Sequence, residues 1–330
     1  MELEIIRLKN VDENFLNRVD QYILSKTTNG EFINTTRYLS YHPEERFQDD
    51  SIAVIDKGSK EVRGVMMATK VMSNETIAIS HGGTTFAGPI LDYKYSIKEQ
   101  REILELLLSY YENHYKKIEL RLRPSVYDKQ PMDFLAYYLE TKGYERKMMA
   151  LANVIQIKDI DTLEEQFAQY KTKRRNHIKK TLKEEKFIFQ IRKTIDKDAW
   201  ENMNENLNNK YDSATTHTYE EIQKLCELYP DRILPCYVYN KEGEYGAFAL
   251  GYCFKNVFHT QYLDMNYNLA SDYPHLYLIH NLIQMARKEG YSYFSFGAST
   301  EDRGDYLNEG LYNYKNGYGG GAILLPSYVK

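Results

Sequence analysis

Two halves of the chain present the same succession of elements, and that repetition constrains the fold more than any single motif. From residue 51, SIAVIDKGSKEVRGVMMATKVMSNETIAIS holds three strand-like apolar stretches, divided by the turn residues Lys57-Gly58-Ser59 and Ser73-Asn74. In the following SIKEQREILELLLSYYENHY, Ser96 and Glu99 form a capping box, and Ile103, Leu104, Leu107, Leu108 and Tyr111 recur with helical period. A strand near KIELRLRP, a helix from about Pro131 to Lys142 stopped by Gly143, and a strand from Tyr144 complete the run. The second half repeats the order. Strands in DRILPCYVY, EYGAFALGYCF and VFHTQYLDM precede a helix from Pro274 to Glu289, bounded by Gly290. A strand in YSYFSFG, a helix across YLNEGLYNYK and a strand in AILLPSYV follow. Matching elements begin at 117 and 291, 131 and 306, 144 and 319, an offset of about 175 residues, so architecture and not sequence is duplicated.

The length of 330 residues suits two domains of ordinary size, expected over 1–155 and 156–330. The boundary falls where LANVIQIKDIDTLEE passes from a strand into a polar helix start. With 42% hydrophobic and 27% charged residues the composition is globular, not disordered or disulfide-stapled. No apolar run approaches 20 residues, and MELEIIRLKN lacks a signal peptide's apolar core, so a cytoplasmic protein is expected. Cys226, Cys236 and Cys253 carry no CxxC spacing, which points to neither a disulfide nor a zinc site, and no metal is expected. Meander, helix, strand, helix, strand implies an α/β fold of the α+β kind. Mixed sheets are flanked by helices, with one crossover joining parallel neighbours in each half. It resembles the element order of the Gcn5-related N-acetyltransferase (GNAT) fold, in which two central parallel strands part to leave a cleft for an acyl donor.

The net charge of -4 argues against a general nucleic-acid-binding surface, so any such surface must be local. The stretch Tyr170 to Lys193 is such a place, with ten Lys or Arg against two Glu. A helix over 172–186 would align Arg174, Ile178 and Leu182 along one stripe. Arg175, Lys179 and Lys183 would lie beside it, on a face able to meet phosphates or simply to lie in solvent. In GLYNYKNGYGGGAILLPSYVK, Lys315 ends a helix beside Tyr312, Tyr314 and Tyr318. Gly317, Gly319, Gly320 and Gly321 would let a ligand approach the backbone, unless Lys315 merely complements the helix end and Gly317 caps it. His81 has no partner at metal-ligand spacing, and no GxSxG, Walker A or dinucleotide fingerprint occurs.

The run Gly88-Pro-Ile-Leu-Asp92, the basic stretch Lys173 to Lys180 and EGLYNYKNGYGG from Glu309 to Gly320 together resemble the FemABX family of peptidoglycan-bridge aminoacyltransferases. The resemblance covers most of the chain and extends to FemAB-like GNAT proteins of surface-polysaccharide synthesis. It implies two tandem GNAT-like domains and transfer of an aminoacyl or acyl group to an amine of a cell-envelope precursor or glycan. The donor would be aminoacyl-tRNA or acyl-CoA, with no tightly bound cofactor, and the resemblance implies a monomer or weak dimer. On the family match Lys315 is the electrostatic stabiliser, Asp92 the acceptor-orienting carboxylate or proton acceptor, and Asp264 a further candidate. Arg174, Arg175, Lys179, Tyr314 and Gly319 are the donor- or phosphate-binding candidates. Two departures stand out. NYNLASDYPHL, from Asn266 to Leu276, lacks the glycine-rich pyrophosphate loop of GNAT enzymes, and INTTRYLSYHPEERF replaces the usual first-domain motif. The alternatives are an acyl-CoA-dependent N-acetyltransferase and a noncatalytic GNAT-fold binding protein.

Overall fold

The computed structural model describes residues 2–128 and 133–330, so the expected helix start at Pro131 lies outside the described residues. The chain divides into two compact units. One comprises Met1–Ala150, Arg303–Asp305 and Leu324–Lys330, the other Leu151–Asp302 and Tyr306–Ile323.

The first unit holds two sheets built from β1 (Leu3–Arg7), β2 (Ile52–Asp56), β3 (Val62–Met66), β4 (Ala68–Val71), β5 (Asn74–Ser80), β6 (Pro89–Leu91) and β7 (Lys117–Arg121). One is antiparallel in the order β1-β2-β3-β6. The other contains β4-β5-β7, and in it β5 and β7 are parallel, with Ile77 opposite Lys117. EVRGVMMATKV, expected as one strand, divides at the fully buried Met67, where the chain leaves one sheet for the other. Helix α1 (Ile97–His114) leads into β7. Ser96 and Glu99 make both halves of its capping box, and the stripe from Ile103 to Tyr111 is buried, as its period requires. Gly64 lets this helix lie close, since a Cβ there would come 2.4 Å from Ile103 Cγ2. Then come α2 (Phe134–Thr141) and β8 (Glu145–Gln156).

The second unit begins within β8 and continues with α3 (Leu163–Gln169), α4 (Thr172–Glu184), β9 (Phe187–Ile191), α5 (Lys197–Tyr211), β10 (Ile233–Asn240), β11 (Tyr245–Cys253) and β12 (Val257–Met265). Next in the chain are α6 (Pro274–Lys288), β13 (Tyr293–Ala298), α7 (Glu309–Asn316) and β14 (Gly321–Val329). The sheet runs β9-β10-β11-β12-β13 and closes on the second half of β8. All its neighbours are antiparallel except β12 and β13, which α6 joins as parallel partners. The basic helix stops at Glu184, short of the expected 186, because Glu185 takes a left-handed conformation (φ 49°). Each unit thus holds one parallel pair joined by a helix-containing crossover, and Phe134 and Glu309 open equivalent helices about 175 residues apart. The end of β14 belongs to the first unit, where Ser327 to Val329 pair antiparallel with Arg121 to Glu119.

Candidate active site

In the second unit the parallel register of β12 and β13 runs from Val257 opposite Tyr293 to His259 opposite Ser295 and ends there. Beyond that point β12 continues along β11 while β13 turns, with Gly297 at φ +70°. Lys315, from the last turn of α7, reaches this parting, and its ammonium donates to Gly297 O at 3.3 Å and to Ala298 O. It is 6% exposed, and burial alone brings its pKa down to about 8. An ammonium has three donors, so one N–H remains beyond these two carbonyls.

His259 (8% exposed) faces the same place. Burial, then the charge of Lys315, push its pKa down to about 4, so it is neutral at pH 7. Its Nδ1 lies 3.1 Å from Ser295 Oγ, which accepts from Gly297 N at 3.2 Å, and Thr260 Oγ1 donates to Ser295 O at 3.2 Å. The geometry is a desolvated cation held against carbonyl dipoles where two parallel strands separate. Nothing in VFHTQYLDM sets His259 apart beyond a polar residue in a strand otherwise aimed at a core.

Other residues expected at the site are engaged elsewhere. Arg174 donates to Tyr314 O and stacks on the rings of Tyr318 and Tyr314, at 4.0 and 4.8 Å from their centroids. It clamps α4 to the end of α7, and its guanidinium fills the space a Cβ at Gly317 would need. Arg175 and Lys179 lie on the outer part of α4, with Lys179 Nζ 5.1 Å from the Phe167 ring centroid. Among the described residues, Lys173, Arg175 and Lys183 form no ion pair. Tyr314 is half-buried under Arg174, and burial raises its pKa. Two of the terminal glycines are approached by protein, while Gly321 faces open space: Gly319, at φ +90°, would put a Cβ 2.5 Å from Gln169 Cβ, and Gly320 one 2.8 Å from Val154 O. Gly319→Ala is therefore expected to destabilise the fold by about 1–3 kcal/mol, read as a lower midpoint in denaturant.

Asp264 accepts from Asn202 Nδ2 (2.7 Å), Asn206 Nδ2 (2.9 Å) and Tyr245 OH (2.9 Å), while burial raises its pKa. Asp92, in the first unit, follows β6 and accepts from Lys94 N at 3.0 Å and Thr28 Oγ1 at 3.4 Å, the bonding of a turn. It lies apart from the unit's cavity of about 580 Å³, which has an apolar floor of Val71, Ile77, Ile79 and Phe86 with Lys117, Glu119, Arg121 and Arg303 around it. No group of His, Cys, Asp and Glu suited to a metal occurs among the described residues. No helix among them is long and apolar enough to cross a membrane.

The N-terminus of α6, where a pyrophosphate would sit in a GNAT enzyme, offers few donors. Tyr273 precedes it in a left-handed conformation, Pro274 has no N–H, and the amides of Leu276 and Tyr277 both turn back to Tyr273 O.

Residues 162–316 match the family model described as an acetyltransferase (GNAT) domain. Over its full length the chain is similar in structure to FemX (TM-score 0.70, 14% identity, covering 100% of this chain and 97% of that one). It is also similar to a tandem GNAT protein from the clavulanic acid biosynthesis pathway (TM-score 0.57, 8% identity, 100% and 98% covered). A third likeness is to the C-terminal domain of a putative lysylphosphatidylglycerol synthetase from Agrobacterium fabrum (TM-score 0.52, 12% identity, 81% and 80% covered). No curated protein matches the sequence. The parting parallel strands lie inside residues 162–316, which form a GNAT-type N-acyltransferase domain. Over its whole length the chain shares the fold of FemX and of the tandem GNAT protein.

Proposed function

We propose that the protein transfers an aminoacyl group from aminoacyl-tRNA to an amine of a cell-envelope precursor or glycan, with Lys315 as the charge that stabilises the reaction. The observation that carries the acyl-transfer site is the buried ammonium at the point where β12 and β13 part. The acceptor nitrogen attacks the ester carbonyl, and the oxyanion that develops takes the third N–H of Lys315. The C–O bond to the ribose then breaks, and the proton lost by the amine ends on the leaving oxygen. His259, neutral and hard to protonate beside a cation, serves poorly as the base.

The donor preference rests on α6 and α4. A helix start with a proline and inward-turned amides supports a coenzyme A pyrophosphate weakly, whereas the unpaired cations of α4 suit a polyanion. The first unit's cavity, with charges of both signs at its rim and an apolar floor, is the place we assign to the acceptor, and Asp92 lies apart from it in a turn. Such a reaction belongs in the cytoplasm, where aminoacyl-tRNA is made, and one chain carries both sites, so a monomer suffices.

The test is binding and turnover with a charged tRNA mixture and with acetyl-CoA. Replacing Lys173, Arg175 and Lys179 together by alanine should weaken tRNA binding and flatten its dependence on log salt by about 2, at roughly 0.7–0.9 for each phosphate no longer neutralised. Turnover with acetyl-CoA and none with aminoacyl-tRNA would reject the donor reading, and no turnover with either would favour a binding protein.

A further inference from the structure

We propose that His259 and Ser295 are positioning residues for Lys315: together they hold the left-handed turn at Gly297 that aims two successive carbonyls at its ammonium. The inference rests on Lys315 as the electrostatic centre of the reaction proposed above.

In an extended strand successive carbonyls point to opposite sides, so one ammonium cannot ordinarily collect two of them in a row. Gly297 O and Ala298 O nevertheless both accept from Lys315 Nζ. The strand breaks its pattern at that point: Gly297 stands at φ +70°, and the β13–β8 register slips between Ser295 and Ala298. Ser295 Oγ accepts from Gly297 N on one side and meets His259 Nδ1 on the other. The imidazole lies over the turn, with its Cε1 3.2 Å from where a Cβ of residue 297 would be, so a side chain at 297 would crowd the ring. The far end of the turn is anchored by Ser299, which donates from N to Leu151 O at 2.7 Å and from Oγ to Asn153 Oδ1 at 2.6 Å.

Among the described residues one titratable side chain from a neighbouring element bears on Lys315, and the Arg174 guanidinium is engaged with aromatic rings. His259 approaches from β12, and Arg174, from α4, lies on the Tyr314 and Tyr318 rings that flank it in sequence. No carboxylate forms an ion pair with Lys315 among the described residues, and β13 offers carbonyls and the Ser295 hydroxyl. The two carbonyl dipoles therefore stand in for a counter-ion. Loss of the turn would leave a desolvated ammonium with fewer acceptors and favour its neutral form.

The experiment compares the parent with His259→Ala, Ser295→Ala and His259→Asn, whose amide can reach Ser295 as Nδ1 does. The 13Cε resonance of Lys315, in lysine-labelled protein and assigned by its absence in Lys315→Arg, reports the amine's titration without reference to activity. The high-pH limb of turnover is recorded alongside. Both alanine variants should move the Lys315 midpoint down by about one pH unit, carry the limb with it, and lower kcat about twofold at pH 7 and about fivefold at pH 8 with KM little changed. The asparagine variant should recover part of the shift. An unchanged Lys315 midpoint in both alanine variants would overturn the proposal, and Ser295→Ala, which deletes one atom, supplies that reading if His259→Ala does not fold. A midpoint that shifts while turnover shows no limb at all would support the positioning role and reject the catalytic one for Lys315.

Discussion

Replacing Lys315 by alanine is expected to lower turnover by about 10²- to 10³-fold while leaving the protein folded and acceptor affinity nearly unchanged. The ammonium already donates to Gly297 O and Ala298 O, so in the proposed mechanism its contribution is the third N–H, offered to charge that exists only in the transition state. The pH dependence gives a second handle with a definite sign. Burial brings the Lys315 pKa down to about 8, and the proposed mechanism uses the cation. Turnover should therefore be level below pH 7 as far as Lys315 is concerned and fall as pH rises through 8. A limb that rises through 8 would make Lys315 a base. Arginine should not rescue, because its planar fork cannot sit against the same two carbonyls as a compact ammonium does. Steady-state kinetics of the three proteins between pH 6 and 9.5, with circular dichroism to confirm folding, measures all of this.

The second large effect concerns Asp264, whose surroundings mark it as a structural carboxylate. Asn202 and Asn206 on α5 and Tyr245 on β11 all donate to it, so it ties that helix to the sheet. Asp264→Ala strands three donors in a largely buried place and is expected to cost about 2–4 kcal/mol of stability, visible as a lower denaturant midpoint at unchanged slope. Turnover per folded molecule should stay close to the parent's. A loss of turnover of 10²-fold or more at full stability would restore Asp264 as a chemical participant.

Much of the fold was legible because its determinants are local. The capping box of Ser96 and Glu99, the buried stripe of α1, and Pro274 at the first turn of α6 each act within a few residues, and each element appears where its residues indicate. The order of elements, and with it the tandem GNAT architecture, follows from the same local signals read twice. The terminal motif also singles out Lys315 as a cation at a helix end.

What surrounds Lys315 was decided by tertiary structure. His259 comes from a different strand, and no spacing rule connects it to α7. It meets the lysine only because β12 and β13 pair in parallel and then part. Arg174 looks from its neighbours like one more phosphate-binding cation, yet it docks on Tyr314 and Tyr318 where α4 meets the end of α7. Three of the four glycines expected to admit a ligand, Gly317, Gly319 and Gly320, accommodate Arg174, Gln169 and Val154 instead. The chain's last strand closes in the first unit, on β7. Periodicity and capping are free energies of neighbours along the chain, and one sequence displays them directly. Strand partners, stacking on a particular ring, and the desolvation that moves a lysine's pKa depend on which distant surfaces exclude water together, and that is settled only when the whole core forms.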